Sequence, residues 1–157
     1  MFLETKRLIL RKFQQEDFAD FCEFAMDPDR NRAMGNGEVS SVDDARKLFN
    51  WLKDKEERAY AVVFKGTGQV VGNFTVYNEL SDEIKTRPEL AGKAGRSLSF
   101  SLSRAYRRQG LIFEAASAVI TYLFEVEGVD YIHSGYLGSA PQPKSHWETS
   151  TLEQNMI

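Results

Sequence analysis

The sequence predicts a mixed α/β domain, in which strands form a sheet and helices cover its faces. Residues 97–103 alternate small polar with large apolar side chains, which is the period of a strand with one buried face. After Gly110 the apolar residues recur at helical spacing as far as Val126 and cover most of the helix surface, so we expect a deeply buried helix. Another apolar strand follows at residues 129–137. A strand–helix–strand path of this kind gives a parallel pair of strands through a right-handed crossover.

Length and composition restrict the kind of protein. A chain of 157 residues suits one domain with a single core, and 42% hydrophobic content is typical of a globular chain. A net charge of −3 gives no support to general nucleic-acid binding, so we expect no nucleic-acid partner. No apolar run is long enough to span a membrane and no signal-peptide pattern is present, so we expect no membrane association. The one cysteine, Cys22, rules out an internal disulfide and favours a cytoplasmic location.

The first elements are predicted to be a strand and a helix. Residues 5–13 are expected to form the strand, with Leu8 and Leu10 on its buried face. The helix is expected at residues 15–26, because its apolar side chains fall on one stripe. Cys22 belongs to that stripe, and we interpret it as a small core residue and not as a nucleophile.

A loop and a capped helix are predicted next. Pro28 is expected to end the preceding helix, because the residue before a proline disfavours the helical conformation. Residues 31–40 are rich in glycine and asparagine and are predicted to form a loop. Ser41 is the predicted N-cap of a helix that runs to about Lys55.

The middle of the chain predicts a hairpin followed by a long connection. Residues 59–65 and 69–77 are read as strands joined by the turn Gly66-Thr67-Gly68. This turn lacks the Lys-Ser/Thr of a P-loop and leads into a strand, so we do not interpret it as a phosphate loop. Residues 79–95 form a connection long enough to contact a substrate, although an ordinary flexible insertion fits equally well.

The turn around Gly110 is a candidate anion site. A turn from a strand into a helix leaves the first backbone N–H groups of the helix without partners, at the positive end of the helix dipole. Such groups bind phosphate well, and Arg104, Arg107 and Arg108 would strengthen the site. The alternative is a surface turn that carries a solvated arginine cluster.

Two stretches resemble a known family. Residues 106–115 read Tyr-Arg-Arg-Gln-Gly-Leu-Ile-Phe-Glu-Ala and resemble the acetyl-CoA loop of the GNAT acetyltransferase superfamily, whose pattern is Arg/Gln-x-x-Gly-x-Gly/Ala. Arg107 and Gly110 match the first two key positions, whereas Ile112 stands where the family has Gly or Ala. Residues 4–11 resemble the opening strand of the branch that acetylates the N-termini of ribosomal proteins, and the Glu-Ala pair after the loop is also similar to that branch.

The resemblance implies both a fold and a cofactor. It implies an α/β (α+β) fold with a mixed, mostly antiparallel sheet flanked by helices, in which one parallel strand pair splays apart. It also implies acetyl-CoA as co-substrate, with pantetheine between the splayed strands and the pyrophosphate at the loop. The side chain of Ile112 is expected to crowd the pyrophosphate or the strand below it. The residues assigned to the cofactor on this basis are Ser101, Leu102, Ser103, Arg107, Arg108, Gln109, Gly110, Leu111 and Ile112.

The resemblance further implies an N-acetyltransferase that acts on a primary amine, with a protein N-terminus as one such acceptor. We expect no metal ion at the site. Glu79 is the candidate base, because it lies at the end of a strand near the expected groove, and Tyr136 is the candidate donor to the departing thiolate. A surface carboxylate and a packed tyrosine are the alternative interpretations of these two residues. His133, a single histidine on a strand, is interpreted as structural.

The resemblance covers residues 1–137, which we take as the domain, and residues 138–157 are predicted to be an atypical polar tail. The tail lacks the Asn-x-x-Ser with which the family continues, so we expect the last helix and two strands of the family fold to be missing. The strand at residues 129–137 would then have an open edge, and we expect a homodimer formed through it. The alternative function is a weakly active or inactive remnant that binds CoA or serves as a dimerising module.

Overall fold

The computed structural model describes residues 1–34, 39–55, 58–78 and 86–133. They form a six-stranded sheet in which the strands lie in chain order. All neighbouring strands are antiparallel except the last two, which are parallel. The strands are β1 Leu3–Glu4, β2 Leu8–Arg11, β3 Ala59–Phe64, β4 Gln69–Tyr77, β5 Gly95–Leu102 and β6 Tyr131–His133. The helices are α1 Phe18–Ala25, α2 Pro28–Met34, α3 Val42–Asn50 and α4 Leu111–Glu125. The predicted fold class is therefore confirmed.

The chain begins with two short strands instead of the single strand predicted at residues 5–13. A turn separates β1 from β2, and it is closed by a 2.9 Å hydrogen bond from the Thr5 N–H to the Leu8 carbonyl. The Thr5 hydroxyl also accepts from the Leu8 N–H at 3.0 Å, which further favours the turn over a continuous strand. Leu8 and Leu10 are fully buried on one face, as their alternation predicts.

The prediction of a loop over residues 31–40 is wrong at its start, because α2 continues to Met34. α1 ends at Ala25, shortly before Pro28, and Pro28 opens α2, where its fixed φ and missing N–H suit the first helical position. The Asp27 carboxylate accepts from the Asp29 N–H at 2.9 Å and so caps α2.

The cap of α3 is confirmed. The Asp44 N–H donates to the Ser41 hydroxyl at 3.1 Å, which is the N-cap bond expected from the sequence. After Asn50 the chain continues for one turn of π-helix at Trp51–Lys55, so the predicted end of this helical segment is also correct.

The two faces of the sheet are covered by different helices. α4 lies on one face, where Leu111, Ala115, Val119 and Leu123 are almost completely buried, as expected for an apolar helix. α1 and α3 lie on the other face around an aromatic cluster, in which the rings of Phe13, Phe18, Phe21 and Phe49 pack edge to face or tilted with centroids 5.3–5.8 Å apart.

The strands that carry the candidate site pack closely. The β3–β4 hairpin turns at Gly68, which has a φ of +74°, so the interpretation of this turn as a hairpin is correct. In β4, a Cβ on Gly72 would overlap the carbonyl oxygen of Ser101 in β5. β5 and β6 pair from Gly95 opposite Tyr131 to Ser97 opposite His133. Residues 134–137 of the predicted last strand lie outside the described residues.

Candidate functional site

The chain between β5 and α4 forms a tight, basic turn. It contains a 3-10 turn at Arg104–Tyr106, and both Arg108 and Gly110 have positive φ, of 61° and 74°. Such values favour glycine, which explains Gly110 at the entrance to α4. The first N–H groups of α4 have no acceptor within the helix and lie at its positive end. The turn therefore has the backbone arrangement of an anion site.

The edge of β5 that faces β6 leads to this turn. Backbone groups of successive strand residues point alternately to the two neighbouring strands. The Ser103 N–H bonds the Val71 carbonyl of β4 at 2.7 Å, whereas the Ala94 carbonyl accepts from Asp130 on the β6 side. By this alternation Leu102, and not Ser101 or Ser103, directs its backbone groups to the β6 side. Among residues 101–103, Leu102 is therefore the one whose backbone amide can contact a ligand beside β5.

The three arginines of the turn have different surroundings. Arg107 donates from Nε to the Leu102 carbonyl at 3.0 Å and pairs with Asp27 at 2.7 Å, so its side chain fixes the turn to the corner between α1 and α2. Arg104 is 79% exposed and lies 3.9 Å from Asp29. Arg108 is exposed and forms no ion pair with the residues that the structure describes. The prediction that all three strengthen an anion site therefore fits the two exposed arginines better than Arg107.

The remaining loop residues are held by local contacts. Gln109 is exposed, and its amide nitrogen donates to the Ala105 carbonyl at 3.0 Å. Leu111 is buried, and Ile112 is half-buried and packs against the core on the α4 side of the sheet. The expectation that the Ile112 side chain crowds the pyrophosphate stays a prediction.

Sequence reasoning missed a contact between the start of the chain and the turn. Glu114, in the first turn of α4, pairs with Arg7 at 2.7 Å, and Arg7 also donates to the Gln109 carbonyl at 2.9 Å. Both residues lie in the stretches that resemble the family, and this shared resemblance was the available signal.

Sequence reasoning also missed a buried arginine on the polar face of β5. Arg30 of α2 is only 6% exposed, and its Nε lies 3.3 Å from the Ser101 hydroxyl, which in turn donates to Asn73 at 2.6 Å. Burial lowers the pKa of Arg30, and nearby Asp27 partly opposes this effect. The small serines of β5 indicated a face open to another element, but nothing in the pattern indicated Arg30.

The two catalytic candidates, Glu79 and Tyr136, lie outside the described residues. The structure thus describes the turn and the edge of β5, and the roles of Glu79 and Tyr136 stay predictions. Across the described ranges, no group of three or more His, Cys, Asp or Glu side chains is arranged to hold a metal ion. None of the helices described is long and apolar enough to cross a membrane.

Curated relatives are similar to most of this chain. An uncharacterised N-acetyltransferase of Bacillus licheniformis, p20, is 26% identical over 126 residues, which are 78% of this chain and 65% of that protein. An uncharacterised N-acetyltransferase of Bacillus subtilis, YnaD, is 22% identical over 80% of this chain and 66% of its own length. The chain thus spans slightly less than two thirds of the curated relatives that it matches.

Solved structures share the fold. A GNAT-family acetyltransferase from Bacillus anthracis superposes with a TM-score of 0.69 and 22% identity, over 85% of this chain and 72% of that chain. A candidate ribosomal-protein-serine acetyltransferase from Vibrio cholerae superposes with a TM-score of 0.59 and 20% identity, over the same shares of the two chains. The sequence profile of the acetyltransferase (GNAT) domain matches residues 7–138 of this chain, including both β2 and the turn before α4. This chain therefore belongs to the GNAT acetyltransferase domain family.

Proposed function

We propose that this protein is an N-acetyltransferase that transfers the acetyl group of acetyl-CoA to a primary amine. The observation that carries the proposal is the turn before α4. There Gly110 has a φ of +74° and is the N-cap of the helix, so the first backbone N–H groups of α4 lie next to the turn. Family membership supports the same reaction class. In this proposal the pyrophosphate of CoA is held by residues 107–112.

The electrostatics of the turn support a phosphate ligand. The N–H groups of the first turn of α4 and the helix dipole attract negative charge. Arg104 and Arg108 are exposed beside them, and can neutralise the diphosphate without first breaking a buried ion pair. Arg107, in contrast, contributes by fixing the turn through Leu102 and Asp27.

The edge of β5 supports the course of the pantetheine arm. We assign the arm to the space beside β5 beyond its pairing with β6, where the family resemblance implies that the two strands splay apart. Leu102 directs its backbone toward that side, and the adjacent residues Ser101 and Ser103 are held to β4. The Leu102 amide would then donate to the cofactor as a strand neighbour would.

The reaction needs no covalent enzyme intermediate. The amine nitrogen attacks the thioester carbonyl, the N–C bond forms, the C–S bond breaks, and CoA leaves as a thiolate that takes up a proton. Holding both reactants in the correct orientation supplies several kcal/mol of the barrier. Glu79 is the proposed base that receives the proton of the incoming ammonium, directly or through water, and Tyr136 is the proposed donor to the thiolate.

We infer a protein N-terminus as the acceptor. The inference rests on the two stretches that resemble the ribosomal-protein branch and on the Vibrio cholerae structure, which is named for acetylation of a ribosomal protein. We also propose a cytoplasmic location, no nucleic-acid or membrane partner, and a homodimer that forms along the edge of the last strand. Light scattering at tens of micromolar tests the dimer, and a strictly monomeric species would contradict it.

Calorimetry and mass spectrometry test the proposed reaction. We expect acetyl-CoA to bind saturably and to acetylate a peptide N-terminus faster than a lysine side chain in an otherwise equal peptide. Glu79→Gln should lower the rate without changing the affinity for CoA. Binding without turnover of any amine would favour the alternative, a CoA-binding module. The absence of binding would contradict both the acetyltransferase and the CoA-binding module and would leave only the dimerising module.

A further inference from the structure

We propose that Arg7 and Glu114, together with Thr5, are positioning residues that fix the phosphate-binding turn for acetyl-CoA. This inference rests on the proposed function, and it assigns a role to a contact outside the residues expected to touch the cofactor. The three residues and the Gln109 carbonyl are called the bracket below.

The Glu114 carboxylate is the centre of the bracket. One oxygen accepts from the Thr5 hydroxyl at 2.6 Å and from the Arg7 N–H at 2.8 Å, and the other accepts from Arg7 Nε at 2.7 Å. The side chain of Glu114 is 18% exposed, so these bonds are partly shielded from water. All three donors come from the turn between β1 and β2, more than a hundred residues earlier in the chain.

Arg7 continues the bracket from the helix to the turn. Its Nη1 donates to the Gln109 carbonyl at 2.9 Å, while its Nε holds Glu114. Its Nη2 lies 3.6 Å from the position that a Cβ on Gly110 would occupy. One planar guanidinium therefore joins the residues on both sides of Gly110, which is the most freely rotating residue of the turn.

Fixing the Gln109 carbonyl also fixes the direction of the peptide group that enters Gly110. A binding site for a diphosphate depends on backbone N–H groups that already point at the ligand, because ordering them on binding would reduce affinity. The bracket supplies this order from outside the turn. It leaves the exposed arginines Arg104 and Arg108 available for the ligand.

The bracket also removes an electrostatic conflict. A carboxylate in the first turn of a helix is favourable for the helix, but it repels a phosphate bound at the same end. The positive charge of Arg7 compensates Glu114 at 2.7 Å. Loss of Arg7 alone should therefore harm CoA binding more than loss of both charges.

The chain offers a matched control at the other end of α4. Arg58, just before β3, donates to both oxygens of Glu127, just after α4, at 2.8 and 3.0 Å, and both side chains are 21% exposed. This pair also joins α4 to the sheet, but it lies at the opposite end of the helix from the turn. Arg58→Met should reduce stability without affecting the turn, and Arg96, whose Nη2 lies 3.7 Å from Glu127, still compensates part of the carboxylate charge in this variant.

The experiment compares Arg7→Met, Glu114→Gln, the double variant and Arg58→Met in the full chain. Calorimetry gives the affinity for CoA, and urea denaturation gives the stability. Hydrogen exchange of the Glu114 N–H, which bonds the Gly110 carbonyl at 3.0 Å, reports the order of the turn without ligand. We expect Arg7→Met to weaken CoA binding on the order of tenfold and to speed exchange in the turn. The double variant should recover part of the affinity. Arg58→Met should change neither the affinity for CoA nor the exchange in the turn. In turnover, KM for acetyl-CoA should rise while kcat changes less than about twofold.

Equal affinity losses in Arg7→Met and Arg58→Met, or unchanged exchange of the turn in Arg7→Met, would overturn the inference. If the wild-type protein does not bind CoA, the proposed function fails, while hydrogen exchange still decides whether the bracket orders the turn. Arg7→Lys gives a second check, because a lysine cannot hold Glu114 and Gln109 in one planar contact and should give an intermediate affinity.

Discussion

Arg107 Nη2 lies 2.7 Å from Asp27 Oδ2, and this ion pair joins the turn before α4 to the corner between α1 and α2. Arg107 simultaneously donates to the Leu102 carbonyl at 3.0 Å. The last residue of β5 is thereby held by a side chain that is itself anchored at the corner between α1 and α2. The position of Leu102 therefore depends on Asp27, although the two residues are far apart in sequence.

Asp27→Asn is expected to loosen this anchor. Loss of the charge should reduce the free energy of unfolding by about 1 kcal/mol, since the pair is only partly buried. It should also weaken CoA binding several-fold, because Arg107 then holds Leu102 less firmly. Asp29→Asn is the control, because its ion-pair partners Arg32 and Arg104 are 77% and 79% exposed, and such exposed pairs should contribute little to either quantity. Equal CoA affinities in the Asp27 variant and the wild type would contradict the expectation.

Gly110→Ala tests the left-handed backbone at the entrance to α4. A side chain at a φ of +74° should reduce stability by about 1 kcal/mol, although its Cβ would meet only Arg7 Nη2 at 3.6 Å. Gly68→Ala is a close match, because Gly68 has the same φ of +74° and nothing within 4 Å of a Cβ. Urea denaturation should give similar losses for both variants. Calorimetry should show weaker CoA binding for the Gly110 variant alone. A similar affinity loss in both variants would mean that Gly110 has no specific role in binding CoA.

Gly72→Ala tests the close approach of β4 to β5. The new Cβ would overlap the Ser101 carbonyl oxygen, which is backbone and cannot rotate away, so β5 must shift. We expect a loss of about 1–3 kcal/mol in the free energy of unfolding, together with reduced CoA affinity through the displaced Leu102. Gly66→Ala should cost less, because its Cβ would meet the movable ring of Phe64. A Gly72 variant as stable as the wild type would show that the sheet absorbs the change.

The pH dependence of stability should report the Glu114 carboxylate. Burial alone would raise the pKa of Glu114, but hydrogen bonds from Thr5 and Arg7 and the charge of Arg7 together lower it below its usual value of 4.5. Such a group contributes stability that is complete above the unfolded pKa and is lost as the pH falls through the lower folded pKa. The stability difference between wild type and Glu114→Gln, measured in urea, should therefore shrink from pH 7 to pH 3. A difference that stays constant over this range would mean that the bracket does not depend on the charge.

Local patterns in the sequence predicted most of the elements correctly. The alternation around Leu8 and Leu10, the cap at Ser41 and the glycine turn at Gly68 depend on neighbours within a few residues, and the structure confirms all three. α2, Pro28–Met34, was not predicted, because Pro28 was interpreted only as the end of the preceding helix and the glycine and asparagine content of residues 31–40 suggested a loop.

The candidate site was only partly predictable for a physical reason. The position of the turn follows from the change of period at Gly110, which is local. The partners of Arg7 and Arg30 cannot be predicted from local sequence, because Glu114 lies 107 residues from Arg7 and Ser101 lies 71 residues from Arg30. No spacing rule within one element can indicate such contacts, and only the folded sheet brings these residues together.

The order of strands in the sheet has a consequence for how the protein assembles. Each strand pairs with the one before it in the chain, so the sheet can grow step by step while the polypeptide leaves the ribosome. The contact from Thr5 and Arg7 to Glu114 forms late, since α4 must first be synthesised and docked. A partly synthesised chain can therefore have most of its sheet without an ordered turn before α4. Under the proposed function, a nascent chain would gain the capacity to bind CoA only after α4 has docked on the sheet.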